Sequence, residues 1–139
     1  MEEGLRWSSP VNQLLREAVH DTELAGQTIC GGDLVLACLG SANRDERAFT
    51  DPDRFLLTRA PNRHLAFGHD PHFCIGASLA RMALCTFMTE LVRHVEHIEP
   101  AGPAEHLAST FIAGFTHLPV RLTPRRTSLI TAGDFPRSF

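Results

Sequence analysis

The chain contains no lysine and no tyrosine, and its thirteen basic side chains are all arginine. Arginine stays charged and presents a planar fork of donors, which suits fixed carboxylate partners. Such a bias fits a GC-rich, bacterial genome. There is no excess of positive charge either. The net charge is −3 and the pI near 6.2, which excludes the global basic field expected of a nucleic-acid binder. No apolar run approaches the ~20 residues of a membrane helix, so no segment is expected to span a bilayer. The opening MEEGLRW carries two acids and no apolar run, unlike a secretory signal. Cysteines stand only at 30, 38, 74 and 85, with no CxxC pair. Together these absences argue against a disulfide framework and for a reducing cytoplasm.

What is present reads as globular. Apolar residues make up 43% and charged residues 21%, a balance that a chain disordered throughout does not have. At 139 residues the chain lies below the ~250–300 at which single cores split, so one domain is the default. Residues 1–7 read as helical turns ended by Ser8-Ser9-Pro10. Residues 15–19 and 27–30 read as short strands around a turn at 21–26, and Asp33 is placed to cap a short helix over 34–40. From 41 to 63 neither a period of two nor one of 3.6 survives, and so long a structureless stretch is usually functional. The clearest helix spans 77–96, where Leu79, Ala83, Phe87, Leu91 and Val95 form a stripe expected to be core, and Pro100 to Pro103 end it. Residues 110–115 and 119–122 read as a closing hairpin.

One cysteine is distinguished by its setting. Cys74 lies between glycine-containing turns, immediately before the strongest helix, where unpaired N–H groups and a partial positive charge stabilise a thiolate. Gly68 and Gly76 remove side chains where something flat approaches the backbone. A thiolate so placed suits an axial ligand to haem iron. Two other readings stand beside this one. A lone cysteine is commonly a small buried hydrophobe, the role expected of Cys30, Cys38 and Cys85. His69, His72 and Cys74 also have the residue types of a metal cluster, without a fourth ligand at zinc-like spacing. His64, His94, His97 and His106 are expected to face solvent, and Asn43-Arg44-Asp45 taken alone is a turn.

The stretch Phe67-Gly68-His69-Asp70-Pro71-His72-Phe73-Cys74-Ile75-Gly76 resembles the cysteine-ligand loop of cytochromes P450, whose pattern is F-G-x-G-x-H-x-C-x-G. Glu3-Gly4-Leu5-Arg6 is similar to the family's E-x-x-R helix. Arg16 to Val35 resembles the bacterial segment that follows it. Asn43-Arg44-Asp45 and Asp51-Pro52-Asp53-Arg54-Phe55 are similar to the meander, Ala77-Ser78-Leu79-Ala80-Arg81 to the start of the last long helix, and Leu118-Pro119-Val120 to the C-terminal hairpin.

The resemblance implies a mainly α fold with small β-sheets, the C-terminal portion of the P450 fold over residues 1–123, followed by a loosely ordered tail over 124–139. It implies that the central helix with its acid–alcohol pair, and the helices covering the substrate, have no counterpart in this sequence. It implies haem b, with Cys74 as the iron ligand and His72 and Arg16 on the propionates. Phe67 lies beside the thiolate, with Gly68 and Gly76 leaving it room. Glu3, Arg6 and a meander arginine form a buried ion network, with Arg59 in the third place and Arg54 as its alternative. Asn12, Gln13 and Leu14, with Phe111 and Ile112, line the pocket of an apolar small-molecule substrate. Arg81 lies on the surface that meets a ferredoxin-like or flavin redox partner. The activity implied is insertion of one oxygen atom of O2 into that substrate. A remnant that holds haem weakly or not at all is the alternative, and a peroxide-driven peroxygenase needs a distal acid that is not found. One position departs from the pattern. Asp70 replaces a glycine, and Pro71 after it disfavours the left-handed backbone that glycine supplies.

Overall fold

The computed structural model describes residues 1–125. Helix α1 (Glu2–Ser8) ends where Ser9 turns left-handed at φ 40. Strand β1 (Gln13–Glu17) then pairs antiparallel with β4 (Leu34–Cys38), enclosing a smaller hairpin of β2 (Thr22–Leu24) and β3 (Gln27–Ile29). A single helical turn, α2 (Leu39–Ala42), opens an irregular stretch that runs to a 3-10 turn at Asp70–His72. The long helix α3 (Ala77–His94) follows. It leads into β5 (Val95–Pro100), β6 (Glu105–His106), β7 (Phe115–His117) and β8 (Val120–Pro124).

Four expectations are corrected. Residues 34–38 are strand rather than helix. The Asp33 carboxylate accepts from the Cys30 amide at 2.8 Å, so it closes the preceding turn instead of capping a helix. The consecutive Leu34, Val35 and Leu36 then pair opposite Glu17, Arg16 and Leu15. The long helix stops at His94, two residues early, because β-branched Val95 is already extended and the Arg125 amide takes up the His94 carbonyl at 2.7 Å. The closing hairpin does not form: β7 pairs with β6, and β8 with β5. Strand is at least as extensive as helix among the described residues, so the small sheets are found but the chain is not mainly helical. The tail expected from 124 lies outside the described residues except for Arg125 and for Pro124, which pairs with Val95.

The core is small and unusually polar. Its buried apolar residues are Leu5, Leu39, Phe49, Ala66 and Ala77, joined by buried Glu3, Arg6, Ser9 and Asn43. Much of the α3 stripe is not core among the described residues: Leu79 and Phe87 are each more than 60% exposed, while Leu91 and Val95 are half-buried. No described element covers the Leu79 and Phe87 side chains. Contiguous exposed apolar surface of this kind marks a contact site or an aggregation hazard. No described helix is long and apolar enough to cross a membrane.

What replaces an apolar core is a web of hydrogen bonds centred on α1. The i,i+3 spacing puts Glu3 and Arg6 on one face, where the Arg6 Nε and Nη2 donate to both Glu3 oxygens at 2.8 Å. The fully buried Arg6 also donates to the carbonyls of Asn43 (2.8 Å), Pro52 (2.9 Å) and Arg54 (3.2 Å). Glu3 accepts in addition from the Leu56 amide (2.8 Å), the Asn62 side chain (3.0 Å) and the Arg59 Nε (3.1 and 3.2 Å). The third arginine of the network is therefore Arg59. Arg54 contributes only its carbonyl, while its side chain reaches out to Asp51. The irregular stretch needs no period because these side chains satisfy several of its backbone polar groups and local turns satisfy others.

Leaving one member of a buried ion pair without its partner costs ~3–5 kcal/mol. Glu3→Ala is accordingly expected to remove most soluble, cooperatively unfolding protein, measured as soluble yield and as the denaturant midpoint. A parent-like midpoint would refute the role of the network.

The same network makes stability acid-labile. Hydrogen bonds from Arg6, aided by Leu56 and Arg59 and opposed by burial, hold the Glu3 carboxyl far below its ordinary 4.5. Arg81 lowers Glu2 in the same way, with help from His64. Unfolded, these groups bind protons near their ordinary values, and folded they resist. Stability is thus complete above about pH 5 and falls steadily as pH drops below about 4.5. Urea titrations from about pH 6 to about pH 3 should show the midpoint falling across that window, and Glu3→Gln should flatten the slope.

Candidate functional site

The loop before α3 is built by short-range geometry. Gly68 adopts φ 76, and a Cβ there would meet the His72 carbonyl oxygen at 3.2 Å, so the position requires glycine. Asp70 takes the left-handed region at φ 52 despite the following proline, which it tolerates as the short polar residue best suited to it. The 3-10 turn that Asp70 opens is closed by the Phe73 amide on its carbonyl at 2.9 Å, and its carboxylate lies 3.2 Å from His69. The chain then doubles back: the Cys74 amide donates to the Phe67 carbonyl at 2.8 Å, and the Cys74 carbonyl accepts from Ala77 at 3.1 Å. This delivers an exposed Cys74 thiol to the N-terminal end of the 18-residue α3. A Cβ on Gly76 would stand 3.8 Å from the sulfur.

A cleft of about 320 Å³ opens beside Cys74, walled by Val11, Leu14, Leu39, Ala66, Phe67 and His72 among others. A neighbouring cleft shares Leu14, Leu39 and Gly68 with it and is lined by Arg16. The Arg16 guanidinium donates to the Leu15 carbonyl at 2.9 Å and meets no carboxylate among the described residues. An exposed soft donor, an apolar wall and a cation without an anion make a site for a flat apolar group with a thiophilic metal and an anionic edge. The residues present fit haem. They do not fit a zinc-type centre, because no three His, Cys, Asp or Glu side chains converge among the described residues.

Comparison with known proteins agrees with this geometry. A family model described as Cytochrome P450 matches residues 1–121. The chain belongs to the cytochrome P450 family. It is 42% identical over 123 residues to cytochrome P450-terp of a Pseudomonas species, covering 88% of this chain and 29% of that protein. It is 36% identical over 132 residues to the steroid C26-monooxygenase of Mycobacterium tuberculosis strain CDC 1551, covering 89% and 34%. Among solved structures, P450 OxyD, involved in the biosynthesis of vancomycin-type antibiotics, superimposes with a TM-score of 0.86 at 40% identity, covering 89% of this chain and 32% of that one. The chain thus spans about three tenths of the length of the curated P450 relatives it matches. At family level these are haem enzymes, monooxygenases among them.

Several P450 site residues come together. Leu14 lines the Cys74 cleft, whereas Asn12, Gln13, Phe111 and Ile112 do not. Those two stretches nevertheless lie side by side, the Asn12 amide donating to the Phe111 carbonyl at 2.8 Å and Val11 bridging to Ile112. Phe67 stands edge-on to Phe73 at 6.3 Å. Arg81 keeps about a third of its side chain exposed, and its guanidinium pairs with both Glu2 oxygens at 2.9–3.2 Å. Cys30, Cys38 and Cys85 are exposed, not buried.

Sequence reasoning missed two residues. His64 is not solvated; its side chain is 2% exposed and its Nε2 meets Glu2 at 3.0 Å. Asn43 is fully buried, its Oδ1 accepting from the Leu65 amide at 2.7 Å and its Nδ2 donating to Ser9 at 2.9 Å. It ties the meander to the start of the cysteine loop. The signal for both lay in their places within the motifs, because neither has a distinctive period or composition around it.

Proposed function

We propose that residues 1–123 are the C-terminal, cysteine-bearing portion of a bacterial, cytoplasmic haem-thiolate monooxygenase, which inserts one oxygen atom of O2 into an apolar small molecule. The observation that carries this reading is the exposed Cys74 thiol at the start of α3, held there by the Cys74–Phe67 backbone bond. Haem b bound at Cys74 supplies oxygen activation, with electrons from a ferredoxin-like or flavin partner.

This chain's own residues do the rest. Cys74 offers the sulfur, placed at the N-terminal end of α3. Gly76 keeps a side chain from standing beside the sulfur, and Gly68 leaves room for the His72 carbonyl within the same loop. Arg16 and His72 hold the propionates, the guanidinium by charge-assisted hydrogen bonds. Phe67 shields one side of the sulfur, while Leu14, with Asn12, Gln13, Phe111 and Ile112 behind it, forms part of an apolar wall against water. Glu3, Arg6 and Arg59 fix the meander that presents this loop. A fully haem-loaded protein whose reduced, CO-bound spectrum lacks a red-shifted Soret band would refute thiolate ligation.

The exposed apolar face of α3 favours a second reading for residues 1–139 by themselves, a chain that holds haem weakly or not at all. Haem titration followed by absorbance separates the two: saturable uptake with a thiolate spectrum supports the first, and featureless partition supports the second.

A further inference from the structure

We propose that Glu2, His64 and Arg81 are positioning residues that clamp the Phe67 ring and thereby fix the Cys74 sulfur. The Arg81 guanidinium lies over that ring, 4.7 Å from its centroid. The His64 ring is tilted against it at 6.1 Å. Glu2, on α1, holds both. Its carboxylate receives the Arg81 Nε and Nη2 and stands 3.0 Å from the His64 Nε2.

The tautomer of His64 follows from its partners. The Ala66 amide donates to His64 Nδ1 at 3.2 Å, so Nδ1 is the acceptor and the neutral ring carries its proton on Nε2, where it donates to Glu2. Every polar atom of the imidazole is thereby committed, and the ring cannot turn without breaking a bond. Phe67 has little freedom left, and its carbonyl is the acceptor for the Cys74 amide. A cation held flat by a two-point ion pair is a firmer platform for an aromatic ring than a free arginine. Nothing in this arrangement requires Arg81 to face a partner.

The consequence for the sulfur rests on the haem-thiolate reading, but the clamp itself does not, and the experiment separates them. In the full chain without haem, amide exchange at Cys74 is measured by NMR. Arg81→Met, which keeps the stem and removes the fork, should speed it by about tenfold or more while the β1–β4 amides stay at parent rates. Unchanged exchange at Cys74 overturns the clamp. If that variant fails to fold, the exchanged pair Glu2→Arg/Arg81→Glu decides, because it keeps an ion pair between α1 and α3 but takes the cation off the ring. Fast Cys74 exchange there supports the clamp, and parent-like exchange shows a merely structural pair and overturns it. With haem added, a parent lacking the thiolate spectrum refutes the haem reading and leaves the exchange result to judge the clamp. A parent that has it should show a shifted iron–sulfur stretch in Arg81→Met at equal haem content. An unshifted stretch would overturn the link to the sulfur.

Discussion

Cys74→Ser should abolish the red-shifted Soret band of the reduced, CO-bound protein, in residues 1–139 or in any longer protein that contains them. Exposure does not single this cysteine out, since all four are exposed. Its place does. Cys85 sits within α3, where the amides are spent on intrahelical bonds. Cys38 precedes only the four-residue α2, whose end charge is correspondingly small. The Cys30 amide is occupied by the Asp33 carboxylate in a turn, and no helix begins there. Cys74 alone among the four stands at the start of a long helix, in a cleft with an apolar wall, beside a second cleft lined by Arg16, which meets no carboxylate among the described residues. A serine oxygen is a much weaker donor to haem iron than a thiolate, so the whole band is at stake. Cys30→Ser, Cys38→Ser and Cys85→Ser should each retain it. A Cys74→Ser protein with the parent spectrum would overturn the ligand assignment.

How much of this was legible in the sequence depends on the length scale of the cause. The cysteine loop was legible because its geometry is local: Gly68 is required by the His72 carbonyl next to it, and Cys74 is placed by a bond to Phe67 within the same decapeptide. Glu3 and Arg6 were legible as a pair from their spacing, and Arg59, preferred over Arg54 as the third member, is the arginine whose side chain reaches Glu3. The strand at 34–38 was misread because Asp33 serves equally as a helix cap or a turn closer, and only the pairing with β1 decides. His64 was misread because its partner Glu2 lies 62 residues away. The α3 stripe is the opposite case. The period of its apolar residues is genuine, yet Leu79 and Phe87 stay more than 60% exposed among the described residues, and the chain spans only about three tenths of its relatives' length. A sequence pattern states that a face is to be covered, not what covers it.

Residues 1–139 by themselves should give no coupled hydroxylation, even with haem, a ferredoxin-type electron supply, oxygen and an apolar test substrate. Coupling requires that protons reach bound oxygen in a dry pocket, and a catalytic group must stand within hydrogen-bond reach of the atom it serves. The walls of the Cys74 cleft offer Pro10, Val11, Leu14, Leu39, Ala66, Phe67 and Gly68, none of which titrates. The titratable side chains there are Cys74 itself and His72, which belongs to the same loop and is exposed. Among the described residues no acid–alcohol pair lines the cleft, and α3, the one long helix among them, begins at the cysteine loop and is committed to that side. With Cys74 exposed, water has access to the site, and uncoupled oxygen reduction is the expected outcome. The measurement is product formed per electron consumed. Oxygen uptake that appears as free peroxide agrees with the argument, whereas sustained product formation at a substantial yield per electron would overturn it and require a proton path through residues not credited with one here.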